Sequence, residues 1–251
     1  MTARFRNAAI TLPSSRNCGD IWKAQESIAI ESRSNGKTES EMKVLIVFAH
    51  PRRDSYTGAV MDALMDGLTQ QNHSVGIVDI YKAGFEVRFQ TGDFNQFHGE
   101  NIAREVRSEQ ARVDGADALA FVFPVWWWSF PAALKGWIDR VFSAGWAYKF
   151  EPEMSSGLLR DRPTLLLGIA GSRESTYRKY GYDQAMKIQL ETGIFGYCGV
   201  RDVETKILFD VEHSAAIRTR YLVEVAEFGR TFLSAIRKPR VPEYSSTRIS
   251  E

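Results

Sequence analysis

Three runs of this sequence, KVLIVFAH (43–50), ALAFVFP (118–124) and PTLLLGIAG (163–171), are apolar almost without interruption instead of alternating. A strand with one wet face alternates, so continuous runs of this length predict parallel strands covered on both faces. Two weaker runs, SVGIVDIY (74–81) and DVETKILFD (202–210), read as further strands. Helical patterns separate them. Val60, Leu64 and Leu68 are spaced by four and close near Gln71, and IAREVRSEQARVDGAD (102–117) reads as a helix ending at a glycine. In PAALKGWIDRVF (131–142), Leu134, Trp137, Ile138, Val141 and Phe142 form one apolar stripe. Pro131 stands at its first turn, and Lys135 and Asp139 pair on its polar side. Gln184–Tyr197 and Ser214–Ile236 are the remaining expected helices. A βα unit repeated five times predicts an α/β, doubly wound sandwich around a five-stranded parallel sheet.

The ends of the chain read differently. Residues 1–41 are rich in Ser, Asn and Arg without periodicity, and read as an N-terminal extension: a disordered tail, a start placed upstream, or a transit segment. The domain is expected over 42–236, with a C-terminal tail over 237–251. The net charge is +1, so no field marks a nucleic-acid binder. No apolar run reaches the roughly 20 residues of a membrane span. Cys18 and Cys198 stand far apart with no CxxC pair, which argues against a disulfide framework or zinc site and for a cytoplasmic setting.

In such sheets ligands bind beyond the carboxyl ends of the strands. Three loops leave those ends: AHPRRDSYTGA (49–59), FPVWWWSFP (123–131) and IAGSRESTYRKYGYD (169–183). The first is neither a Walker A loop nor GxGxxG. Ser55 and Thr57 stand where the next helix begins, as phosphate contacts or simply as its cap. The second holds Trp126, Trp127 and Trp128 in succession. Neighbouring side chains diverge, so all three cannot enter one core. At least one is expected over a flat ligand or a partner subunit.

These three stretches resemble the flavodoxin-like NAD(P)H:quinone oxidoreductases, the group of the DT-diaphorases and of quinone-reductase-like ancillary proteins of potassium-efflux systems. The resemblance runs from about Met42 to Ile236. It implies a homodimer holding FAD, or alternatively FMN, that takes a hydride from NAD(P)H and passes two electrons to a quinone or similar acceptor in a ping-pong cycle. Carried over, His50, Ser55, Tyr56 and Thr57 line the flavin phosphate region, and Pro124, Val125, Trp127 and Trp128 the isoalloxazine. Gly171 and Ser172 approach its pyrimidine edge, and Tyr148 and Phe150 contact substrate from the other subunit. The family sets a Tyr and a His over the flavin. Tyr177 matches the tyrosine, but Asp183 occupies the histidine's place, beside Tyr182. Tyr180, Tyr182, Arg178 or backbone dipoles are left to take that role. Gln110 and the 84–97 stretch are candidates for an adenine, and Arg52 and Arg53 for the 2′-phosphate of NADPH. Two other readings share the fold: a flavin-bearing transporter subunit with little turnover, and a one-electron flavodoxin, against which the neutral charge balance argues.

Overall fold

A computed structural model describes residues 41–82, 84–98, 101–149 and 156–236. Residues 1–40 of the expected extension over 1–41, the tail at 237–251 and Phe150 lie outside these residues. The elements are β1 (Lys43–Phe48), α1 (Tyr56–Gln70), β2 (Ser74–Asp79), α2 (Arg104–Asp114), β3 (Ala118–Pro124) and α3 (Ala132–Val141), then β4 (Tyr148–Lys149), β5 (Ser156–Gly157), β6 (Thr164–Ile169), α4 (Glu174–Tyr180), α5 (Tyr182–Lys187), β7 (Val203–Leu208) and α6 (Ala215–Ile236). The main sheet is five-stranded and parallel, in the order β2-β1-β3-β6-β7. Strand order reverses between β1 and β3, which places a crevice at their carboxyl ends. The expected α/β doubly wound sandwich is the fold observed.

The apolar runs divide between two cores, as two-sided burial requires. Leu45, Val47, Leu119, Phe121, Phe123 and Leu166 face one way, toward Val113, Leu134, Trp137 and Phe195. Val44, Ile46, Phe48, Ala120, Val122 and Leu167 face the other way, toward Val60, Leu64 and Leu68 of α1 and Val225 and Phe232 of α6. The period-2 pleat performs this division. Helices α1 and α6 cross closely where Gly67 meets Gly229. A Cβ on Gly67 would stand 2.1 Å from the Ala226 carbonyl oxygen, so only glycine permits that contact.

Trp137 lies fully buried on α3, as its stripe predicts, and its Nε1 donates to Glu109 Oε2 at 3.3 Å. The same helix anchors the irregular segment before α2. Arg140 donates to both Asp93 carboxylate oxygens at 2.7 and 3.0 Å and to Glu105 at 3.0 Å. Its guanidinium also lies 5.0 Å from the Phe85 ring centre. A short 3-10 run, Thr91–His98, forms within that segment.

Two elements depart from the sequence pattern. Glu174–Tyr180 folds as a helix inside the expected third loop, with a Glu174–Arg178 ion pair along one face and Gly181 capping it at φ 71°. The expected helix over Gln184–Tyr197 begins earlier, at Tyr182, and widens into π-type turns over Ile188–Gly196. Buried Met186, Leu190 and Phe195 explain the change, because the second interval is five residues and the i→i+5 turn matches it.

Truncating Trp137 to alanine would empty the largest fully buried side chain among the described residues and remove the donor from Glu109 Oε2, leaving Arg112 on Oε1. A loss of about 3–5 kcal/mol is expected from such a deletion, measurable as a lowered urea midpoint with unchanged slope.

Candidate functional site

The loop after β3 contains an unusual turn. Trp126 N–H donates to the Ser129 carbonyl at 3.3 Å, and Ser129 N–H returns a bond to the Trp126 carbonyl at 3.1 Å. Trp127 and Trp128 fill the two central positions at φ 52° and 55°. Left-handed conformation at both is the signature of a type I′ turn, normally built from Asn and Gly. Two adjacent tryptophans there hold backbone strain of about 1–2 kcal/mol each. The loop's base is firm, since Val125 N–H donates to the Ile169 carbonyl at 2.8 Å.

The turn sends the three rings in separate directions. Trp127 is 88% exposed. Trp128 stacks on Tyr182 with ring centres 3.8 Å apart and planes 24° from parallel. Trp126 is 44% exposed, with its ring centre 6.5 Å from that of His50, and so lies outside the core.

A cleft of about 360 Å³ opens beside this turn, lined by Val125, Trp127, Trp128, Gly171, Ser172, Tyr177, Glu212 and His213. Six of these were singled out from the sequence. Gly171 brings the backbone close to Glu212, whose carboxylate would stand 2.8 Å from a Cβ at that position. Ser172 gives its carbonyl to Asp210 N–H at 3.0 Å, tying the β6 loop to the β7 loop. Tyr177 projects from α4 between Phe209 and Tyr182, with ring centres 4.9 and 6.1 Å away. Burial pushes its hydroxyl up to about 12, so it faces the cleft as a neutral phenol.

The remaining candidates separate into other groups. His50 Nδ1 accepts from Arg52 N–H at 3.0 Å at the end of β1. Ser55 caps α1, its Oγ accepting from Gly58 N–H at 3.2 Å, and Thr57 is buried in the first turn. Tyr56 turns away, its hydroxyl donating to the Arg218 carbonyl at 2.9 Å, so it offers this loop only backbone. Pro124 is the buried last residue of β3. Asp183 is half-buried on α5 and is not among the residues lining the cleft. Tyr148 lines a different groove, with Phe97, Ile138, Phe142 and Tyr197. Gln110 serves the core, its Nε2 donating to the Val141 carbonyl at 3.0 Å and to Ser143 Oγ at 2.9 Å. Arg52 pairs with Asp54 and Arg53 with Asp62.

Glu212 and His213 are the cleft residues that sequence reading missed. They follow β7, whose carboxyl end was assigned no function. The rule that sites gather at strand ends applies to β7 as much as to its neighbours, and was the available signal.

A family model described as a flavodoxin-like fold matches residues 42–228. A Haemophilus influenzae protein named as an uncharacterized NAD(P)H oxidoreductase is 31% identical over 186 residues, 74% of this chain and 92% of that one. A ribosyldihydronicotinamide dehydrogenase [quinone] of Pongo abelii is 32% identical over 190 residues, covering 68% and 82% of the two chains. Among solved structures, the NAD(P)H:quinone oxidoreductase of Methanothermobacter marburgensis aligns with a TM-score of 0.70 at 31% identity, over 76% of this chain and 98% of that one.

Trp127→Gly should leave the stability of the ligand-free chain within about 1 kcal/mol, because glycine relieves the positive φ while freeing the unfolded chain. Retention of an aromatic ligand should fall at least tenfold in the same variant, read by fluorescence titration. Equal affinity in the two proteins would remove the exposed ring from the site.

Proposed function

This chain belongs to the flavodoxin-like fold family, and from that premise we propose that it is a flavin-dependent NAD(P)H oxidoreductase of the quinone-reducing type. The observation that carries the proposal is the strained Trp127–Trp128 turn beside a cleft at the strand ends. Backbone strain persists where the surroundings over-determine it, typically at a ligand site. Here it exposes one large aromatic face to water and stacks the other against Tyr182.

The cleft suits a flavin ring on its own geometry. Its lining combines the aromatic Trp127, Trp128 and Tyr177 with the small Gly171 and Ser172. The N–H groups of Trp127 and Trp128 lie outside the pair of bonds closing their turn, and so are available to ring nitrogens and carbonyl oxygens. Gly171 and Ser172 would approach the pyrimidine edge, and Tyr177 offers a neutral hydroxyl donor. Ser55, Thr57 and the first N–H groups of α1 would take the phosphate, since a helix start presents unpaired donors and a positive dipole end. When bound, the flavin supplies hydride acceptance and release. The protein's own part is to orient the ring, keep water from its covered face and hold the pyrimidine edge in hydrogen bonds. The balanced reaction takes NAD(P)H, a quinone and one proton to NAD(P)⁺ and the hydroquinone.

FAD is favoured over FMN because exposed Phe89 and Phe94, at 5.2 Å between ring centres, offer the segment before α2 a surface on which an adenine can stack. A homodimer is supported by the second groove. Phe97, Ile188 and Tyr197 are large apolar residues left exposed, and Tyr148 lies beside Tyr197. Tyr148 is absent from the Trp127 cleft of its own chain, so it would serve such a cleft from a second copy. Among the described residues no helix is long and apolar enough to cross a membrane.

The purified protein should carry flavin absorbance bands, with the released cofactor identified by chromatography. It should oxidise NADH or NADPH with menadione, giving parallel double-reciprocal lines. A protein that binds neither FAD nor FMN after incubation would overturn the assignment.

A further inference from the structure

Asp183 stands where a basic group was expected, and it does not line the cleft. The cleft does contain an imidazole, which arrives from another loop. His213 Nδ1 lies 2.7 Å from Asp210 Oδ1, a close contact without hydrogen-bond geometry, and that carboxylate oxygen is sealed from water. Asp210 sits in the left-handed region at φ 64° and gives its N–H to Ser172. His213 N–H then closes the turn onto the Asp210 carbonyl at 3.3 Å. The loop is therefore built to set one imidazole at the edge of this cleft. Nδ1 lies against Asp210, and Nε2 is the ring nitrogen outside that contact.

We propose that His213, set by Asp210 as its positioning residue, is the counter-charge and proton-holding group of this cleft, supplied from the β7–α6 loop in place of the α4–α5 position held by Asp183. The inference rests on the flavin reading above. Were a flavin held here, a protonated His213 would answer the negative charge that its reduced ring carries. When the hydride passes on to a quinone, one proton must also reach the acceptor oxygen. His213 would release that proton so that the neutral hydroquinone forms, and one proton taken up from bulk solvent would replace it. Two electrons and two protons thus reach the quinone, with no further oxidant or reductant.

The groups facing His213 are few. Asp210 and Glu212 share its loop, and both are acids whose charge an imidazolium balances. Tyr177 faces it from α4 as a neutral hydroxyl. Arg218 is the cation that α6 brings to this loop, and its Nη1 donates to the Val211 carbonyl at 2.8 Å. The His213 side chain is 55% exposed, so replacing it leaves the core untouched.

The test compares full-length protein with His213→Gln, Asp210→Asn and Asp183→Asn, reading flavin content, circular dichroism and the two-electron midpoint potential as a function of pH. His213→Gln keeps a polar side chain of similar reach without the charge. Its oxidised flavin content should stay within twofold, while reduced flavin loses at least tenfold in relative affinity. For a two-electron couple that lowers the potential by about 30 mV. Asp210→Asn should give a smaller shift in the same direction, and Asp183→Asn none. An unchanged potential in His213→Gln, or a shift in Asp183→Asn instead, would overturn the proposal. Equal loss of oxidised and reduced flavin from His213→Gln would also overturn it, by making the residue a plain contact. Absence of flavin from the unmodified protein would instead overturn the flavin reading itself.

Discussion

Burial of β3 on both faces is the constraint from which the rest of this structure follows. Every residue from Ala118 to Pro124 is buried. A strand in that position needs a neighbour on each edge and a helical layer on each face, or its backbone groups and apolar side chains would be wet. Phe121 and Phe123 draw α3 and the helix after α4 to one side, and Ala120 and Val122 draw α1 and α6 to the other. Once β3 is central, its carboxyl end must emerge beside those of β1 and β6. The loop that leaves it has no room to wander, because Val125 is tied at once to the Ile169 carbonyl. Gly168 on the neighbouring strand allows that contact, since a Cβ there would stand 2.8 Å from Val125 Cγ2.

That rigidity is what lets the tryptophan turn exist. Two non-glycine residues in the left-handed region cost about 1–2 kcal/mol apiece, more than a free loop would accept. The turn's pair of backbone bonds and the Trp128–Tyr182 stack, each worth about 1 kcal/mol, offset most of it. What remains is a turn held in one conformation that displays the Trp127 ring to solvent. Orientation fixed before a ligand arrives reduces the entropy lost on binding. The same strain that lowers stability is therefore the feature that makes a flat site.

The layers of this fold were legible in the sequence because they depend on local pattern. Continuous apolar runs mark two-sided strands, the Leu134–Phe142 stripe marks α3, and Gly115 and Pro124 mark the ends of their elements. Each signal lies within a dozen residues. The aromatic half of the cleft was legible for a related reason: three consecutive tryptophans cannot be buried together, so their number alone announced a surface role. The turn type was hidden, because Trp-Trp carries none of the Asn-Gly chemistry that a I′ turn normally shows. The π-type turns after Lys187 were hidden too, since a four-then-five spacing of buried residues looks like an imperfect α stripe.

The polar half of the cleft could not be reached by matching positions along one loop. Counting from Tyr177 arrives at Asp183, which stands on α5 outside the cleft, whereas His213 is thirty-six residues from Tyr177 and lines the same cleft. What joins them is the sheet. β6 and β7 pair in parallel from Thr164↔Val203 to Ile169↔Leu208, so their following loops leave at the same height. The Asp210–Ser172 backbone bond then fastens those loops together. A parallel sheet presents every strand-end loop to a common edge, so a basic group lost from one loop can be supplied by the next without changing the fold. Function in such a site belongs to the edge of the sheet as a whole, and the residue holding a given charge is found by register between strands, not by spacing within a motif.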